Sequence, residues 1–249
     1  EYDFAYVQRI LEHRINEKVQ LIVYTDLTDL KQSNIGSEET FENSSEMTKV
    51  VGKKIFVYFN GDHNHLRKQI RAGIATIYLE SMLYGASLTE VIQNAVLLSL
   101  PDWFKPGLIS YVGENWSTSL DNDLKELLKE TKYKNFEKFA NDYPTLAGHS
   151  FWYFISEVFG DATVSNLLYL TRINRSLESG FVYVLGTTYQ AVSNGWYEFF
   201  TERFEREDAQ RTAPSEDHYI KYKNRRDLPV TQVKISPDGK KLAYILNEN

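Results

Sequence analysis

The sequence predicts an α+β fold: a small N-terminal sheet, a mostly helical body and a closing β-hairpin. Three observations carry this. Two short runs rich in β-branched and aromatic residues, Val19–Tyr24 and Lys54–Phe59, lie in the first quarter of the chain. From His63 to about Phe204 apolar residues recur at helical spacing. After a polar stretch, Val230–Ile235 and Lys241–Leu246 flank the turn Ser236-Pro-Asp-Gly239.

Residues 4 to 17 place Phe4, Val7, Ile10, Leu11 and Ile15 at helical spacing, and Val19–Tyr24 follows as a strand. The segment Ser33–Thr48 is polar and acidic, with Gly36 and repeated Ser, Glu and Asn, which predicts an exposed loop. Lys54–Phe59 is the second strand, ending at the turn Asn60-Gly61-Asp62. Ile70, Ile74, Ile77 and Met82 mark the apolar face of a helix, and Leu88–Leu100 reads as another that Pro101 stops. Asp102 is placed to cap the next helix, with Pro106 in its first turn, where a missing N–H is tolerated. Helical runs then cover Leu120–Glu130, Leu146–Phe159, Ala162–Ile173, Leu177–Leu185 and Tyr189–Phe204. Residues 1–205 thus form the body, 206–228 a polar linker and 229–249 the hairpin.

At 249 residues and 42% hydrophobic content the chain can bury a sizeable core. A net charge of −6 without a basic stripe gives nucleic acid no electrostatic footprint. Cysteine is absent, which removes disulfides, thiol nucleophiles and Cys-ligated zinc together. The longest apolar run, Ala95–Leu100, is far too short for a transmembrane segment. The opening on Glu1 and the ending on a strand pattern read as a fragment of a longer protein, so the missing signal peptide says nothing about targeting.

Candidate chemistry is sparse. His63-Asn-His65 beside Asp62 is the one close histidine pair, and it reads as polar turn residues with a capping role. His149 reads as a packed helix residue. Ser150 is adjacent to it and so points to another helix face, and no Gly-x-Ser-x-Gly elbow exists. Carboxylates such as Glu38, Glu39, Glu205, Glu207 and Asp208 lie in solvated polar runs. Trp103, Phe104 and Tyr111 read first as core, and otherwise as the lining of a cleft. The 17 tyrosines favour protein interfaces without locating one.

One pairing of motifs goes further. The helix Leu66–Glu80 precedes Leu100-Pro-Asp-Trp103-Phe-Lys-Pro106-Gly107-Leu-Ile-Ser-Tyr111. This resembles the gluzincin (peptidase MA-like) metallopeptidases, whose His-Glu-x-x-His helix is followed by Leu-Pro-x-Trp-Phe-x-Glu-Gly-x-x-x-Tyr. Leu100, Pro101, Trp103, Phe104, Gly107 and Tyr111 match. Ala147-Gly148-His149-Ser150-Phe151, with Tyr153-Phe154 and Phe159-Gly160, is similar to that family's next helix. The resemblance covers roughly residues 1 to 205. It places the first His at Ala72, the Glu at Gly73, the second His at Thr76 and the third ligand at Pro106. No histidine lies between His65 and His149, so no small shift of register restores a ligand. The resemblance therefore implies a domain without zinc, cofactor or catalytic residues. Its vestigial cleft would be Ala72, Gly73, Thr76, Trp103, Pro106, Gly107 and Tyr111, and small residues at Ala72, Gly73 and Ala75 would let a neighbour approach closely.

Ile235-Ser-Pro-Asp-Gly-Lys-Lys-Leu-Ala-Tyr244 is similar to the first strands of a TolB-like β-propeller blade. Bacteroidetes-type envelope proteins often join such a propeller to a peptidase-like domain. Together the two resemblances imply a pseudopeptidase that binds protein partners as a scaffold in a cell-envelope complex, in the periplasm or at the outer membrane. Two alternatives stand beside it: a cleft that holds peptide without cutting it, and a hydrolase with an unrecognised site.

Overall fold

The computed structural model describes residues 1–33, 40–43, 46–85, 97–129, 133–212 and 230–246. It is mostly helical with two small sheets, an α+β arrangement. Residues 1–206 form one compact unit and 207–249 another.

The first unit opens with α1 (Tyr2–Leu11), which buries Val7 and Leu11. It is shorter than the predicted helix of residues 4 to 17, because Glu12 turns left-handed at φ 48° and ends it. Strand β1 (Gln20–Tyr24) pairs in parallel with β4 (Lys54–Tyr58). Between them come α2 (Leu27–Gln32), β2 (Thr40–Asn43) and β3 (Glu46–Val51). The strand order is β1-β4-β3-β2, with β3 antiparallel to both its neighbours.

The exposed loop expected over Ser33–Thr48 is thus corrected, since β2 and the start of β3 lie inside it. Ladder hydrogen bonds come from the backbone and do not need apolar side chains. The polar residues that β3 buries find partners in distant elements: Thr48 Oγ1 donates to the Gln69 carbonyl at 3.4 Å, and Lys49 Nζ to that of Leu30 at 3.3 Å. Residues 34–39 and 44–45 of that segment lie outside the described residues.

Strand β4 is buried on both faces. Ile55 and Val57 join the main core beneath the long helix α3 (His63–Tyr84), while Phe56 and Tyr58 meet Leu30 of α2. The Asp62 carboxylate caps α3 by accepting from the Asn64 N–H at 2.8 Å. His63 and His65 therefore occupy its first turn, a correction to their placement in a turn before the helix. The predicted helix Leu88–Leu100 falls largely on residues 86–96, outside the described residues.

Helix α4 (Phe104–Gly113) starts one residue later than expected. Trp103 holds the cap position without a side-chain bond, and the Phe104 N–H donates to the Pro101 carbonyl at 3.0 Å. Asp102 is therefore exposed and does not cap the helix, because the tight turn from Pro101 supplies the first hydrogen bond instead. Then come α5 (Thr118–Lys129), α6 (Phe136–Asp142), α7 (Pro144–Phe159), α8 (Ala162–Asn174), α9 (Leu177–Leu185) and α10 (Tyr189–Ala209). The linker expected from residue 206 begins inside α10, and residues 213–229 lie outside the described residues.

In the second unit β5 (Val230–Ile235) and β6 (Leu242–Leu246) form an antiparallel pair with an irregularity between Thr231 and Lys234. Its turn follows from Ser236-Pro-Asp-Gly. Gly239 takes φ 69°, its N–H reaches the Ser236 carbonyl at 2.9 Å, and the Ser236 hydroxyl accepts from the Lys241 N–H at 2.9 Å.

Candidate functional site

Helices α3 and α4 run in opposite directions. Lys68 Nζ meets Glu114 Oε1 at 2.6 Å at one end, and the Lys105 ammonium lies 4.5 Å from the Tyr84 ring at the other. Between these ends, the α3 positions that the sequence resemblance assigns to zinc ligands are filled by packing. Ala72 lies against Gly113, where an added methyl would sit 3.5 Å from the Ala72 Cβ. Gly73 faces β4 so closely that any Cβ there would overlap the Ile55 side chain. Thr76 is buried and returns its hydroxyl to the Ala72 carbonyl at 2.8 Å.

Pro106 lies seven residues before Gly113, about 10 Å along the helix axis, and follows Lys105, whose ammonium reaches the Tyr84 ring. Zinc needs three or four N, O or S donors converging within about 2.3 Å. Ala72, Gly73 and Pro106 carry no side-chain donor, and the Thr76 hydroxyl is engaged within its own helix. The residues present do not fit the metal. Among the described residues no group of three or more His, Cys, Asp or Glu is arranged to hold one.

Trp103, Gly107 and Tyr111, expected from the resemblance to line a cleft, lie in packed surroundings. Trp103 is buried and packs on Phe136, Phe151, Trp152 and Tyr189. Gly107 and Gly148 let α4 and α7 touch backbone to backbone, since a Cβ on either would overlap the other helix. Tyr111 is partly buried, edge-on to His149 at 6.0 Å, and burial raises its hydroxyl pKa above the ordinary value.

The Gly-His-Ser segment of α7 owes its residues to the same crossing. His149 is fully buried, with Nδ1 at 2.9 Å from Ser110 Oγ on α4 and no partner for Nε2. Burial, with the Lys68 charge second, lowers its pKa to about 3, so the ring stays neutral and has no solvent contact for moving protons. Ser150 Oγ donates to the Ala147 carbonyl at 2.9 Å and accepts from Trp196 Nε1 of α10 at 3.1 Å. It is no nucleophile paired with a base.

His65 is likewise tied to structure. Gln69, fully buried, reads the end of β4 with its amide: Oε1 accepts from the Tyr58 N–H at 3.1 Å, and Nε2 donates to the Tyr58 carbonyl at 2.8 Å. The same Nε2 lies 2.7 Å from His65 Nδ1, and His65 Nε2 is 3.1 Å from the Tyr58 hydroxyl. His65 thus anchors α3 on the sheet, and burial lowers its pKa.

Cavities open on the first unit among the described residues. One, of about 510 Å³, lies among α3, the α4–α5 connection, α5 and the α6–α7 corner, and is lined by Lys68, Glu114, Asp123, Asp142, Tyr143 and Leu146 among others. No sequence motif marks it, because its charged residues come from four separate elements. Another, of about 330 Å³, is lined by His13, Arg14, Lys53, Ser81 and Arg172. It sits where α1, α3 and α8 end, so its basic groups face helix C-termini and offset their partial negative charge. No family model matches the chain, and no curated protein matches it.

Proposed function

We propose that the chain is a pseudopeptidase module that acts as a protein-binding or scaffold component of a bacterial cell-envelope complex, in the periplasm or at the outer membrane. The observation that supports this reading is the packing of Ala72, Gly73 and Thr76. Each ligand-equivalent position of α3 is closed by Gly113, Ile55 or the helix's own carbonyl, and so contributes to the body of the fold. The hairpin, read as the first strands of a propeller blade, supports the envelope setting.

The test uses the full-length protein, tagged and purified from its native membrane. Protein partners in fixed ratio, zinc well below one ion per chain, and no peptide hydrolysis are expected. Stoichiometric zinc together with hydrolysis that a chelator abolishes would overturn the reading.

The cavity beside Lys68 and Glu114 favours a second reading, in which an extended peptide is held without being cut. Its carboxylates Glu114, Asp123 and Asp142 outnumber the single Lys68 ammonium, which suits a basic peptide. Calorimetric titration with basic peptides, compared between the native chain and Asp123→Asn, separates this from a pure scaffold.

A further inference from the structure

Among the described residues strand β1 forms one edge of its sheet, and that edge is chemically unguarded. Edge strands in soluble proteins usually carry lysine, proline or a bulge that prevents pairing with another chain. The five residues of β1, Gln20-Leu-Ile-Val-Tyr24, hold no charge and no proline, and their register against β4 is unbroken. The opposite edge, β2, at least includes Glu42.

The hydrogen-bonding groups on this edge can be assigned. The Gln20 N–H donates to Lys53 on the β4 side at 2.9 Å, and the Tyr24 carbonyl accepts from Phe59 at 3.0 Å. Alternation then turns Gln20, Ile22 and Tyr24 toward β4 and leaves the N–H and C=O of Leu21 and Val23 facing outward. The same two residues are the exposed apolar ones, at 45% and 49%.

We propose that β1 is the interface of a symmetric dimer, paired antiparallel with β1 of a second copy of this chain about a two-fold axis at Ile22. In that register Leu21 lies opposite the partner's Val23. Both residues have their free backbone groups on that side, so each such pair exchanges two hydrogen bonds. Flanking the strand, exposed Lys18 lies opposite the partner's Asp26, and the symmetry repeats that contact at the other end. Charge complementarity selects this register and this occupant. A centre at Leu21 would set Lys18 against the partner's Tyr24, and a centre at Val23 would set it against the partner's Thr28. The two sheets become one of eight strands, and the interface does not depend on whether the first unit has lost a zinc site.

Sedimentation of the 249-residue chain over a range of concentrations tests this. A reversible dimer is expected. Val23→Lys, which restores the missing edge charge, raises its dissociation constant at least about tenfold. Lys18→Asp weakens the dimer and Lys18→Asp with Asp26→Lys recovers it, with folding of each variant checked by circular dichroism because Asp26 also caps α2. The chain has no cysteine, so single thiols report the register. Ile22→Cys cross-links readily, since a non-hydrogen-bonded pair on the axis has Cα atoms about 4.5 Å apart. Leu21→Cys does not, because its two copies are offset by more than about 7 Å. A monomer at every concentration, a dimer indifferent to Val23→Lys, or equal cross-linking at both positions would overturn the proposal.

Discussion

His149 is enclosed by Ser110, Tyr111 and Trp116, and burial holds its pKa near 3 against an ordinary 6.5. The unfolded chain binds a proton there as pH falls through 6.5, whereas the folded chain does so only near 3. Between those values the unfolded state carries more protons, so stability declines with falling pH, by up to about 1.4 kcal/mol per unit from this group. Urea unfolding across that range is expected to show the decline. The double variant Ser110→Ala with His149→Leu should remove the equivalent of one proton from its slope, and an unchanged slope would refute the assignment. That His149 is a packed residue was legible in the sequence. Its partner was not, because Ser110 lies on another helix and no local pattern joins them.

At the scale of elements, close contact decides the outcome. Gly73→Ala should destabilise the protein by about 1–3 kcal/mol, because the new methyl overlaps Ile55 in a filled core. With Ile55→Ala in the same chain the combined loss should fall short of the sum of the two single losses, since the obstacle is a side chain. Gly107→Ala should cost more, over about 3 kcal/mol, because it meets the Gly148 backbone, which cannot turn aside. Denaturant titration of the three single variants and the double checks this; equal losses at the two glycines, or strictly additive ones for the pair, would contradict it. Elements with strong local signals were legible: α9 has the predicted ends, with Ser176 capping it and Gly186 closing it at φ 68°. Helix α2, only six residues long, shows too little of a period to be read. Strands β2 and β3 were hidden because the partners of Thr48 and Lys49 lie on α3 and α2.

At the scale of the whole molecule, the two units rest on different amounts of structure. The first has a continuous core from Val7 to Phe204. In the second, the strands among the described residues make a two-stranded ribbon in which Val233 and Ile235 are exposed at 54% and 63%. Such a pair is marginal in water without further strands or a covering layer. A peptide of residues 230–246 should therefore show rapid amide exchange by NMR, and slow exchange across the register would contradict this. The antiparallel course of α3 and α4 belongs to this scale too. It brings Ala72 to Gly113, a contact no spacing within either segment encodes.

The sequence alone determined the α+β class, the two apolar strands β1 and β4, the course of most helices, the hairpin turn, and the lack of a side-chain donor atom at Ala72, Gly73 and Pro106. These follow from local chemistry: periodicity, caps, turn residues and the presence or absence of a donor atom. Only the tertiary structure decided what fills those positions, which polar residues are buried in pairs, where the cavities lie and that β1 stands at the edge of its sheet among the described residues. Each of these depends on groups distant along the chain meeting at van der Waals or hydrogen-bonding distance, and that is a property of packing.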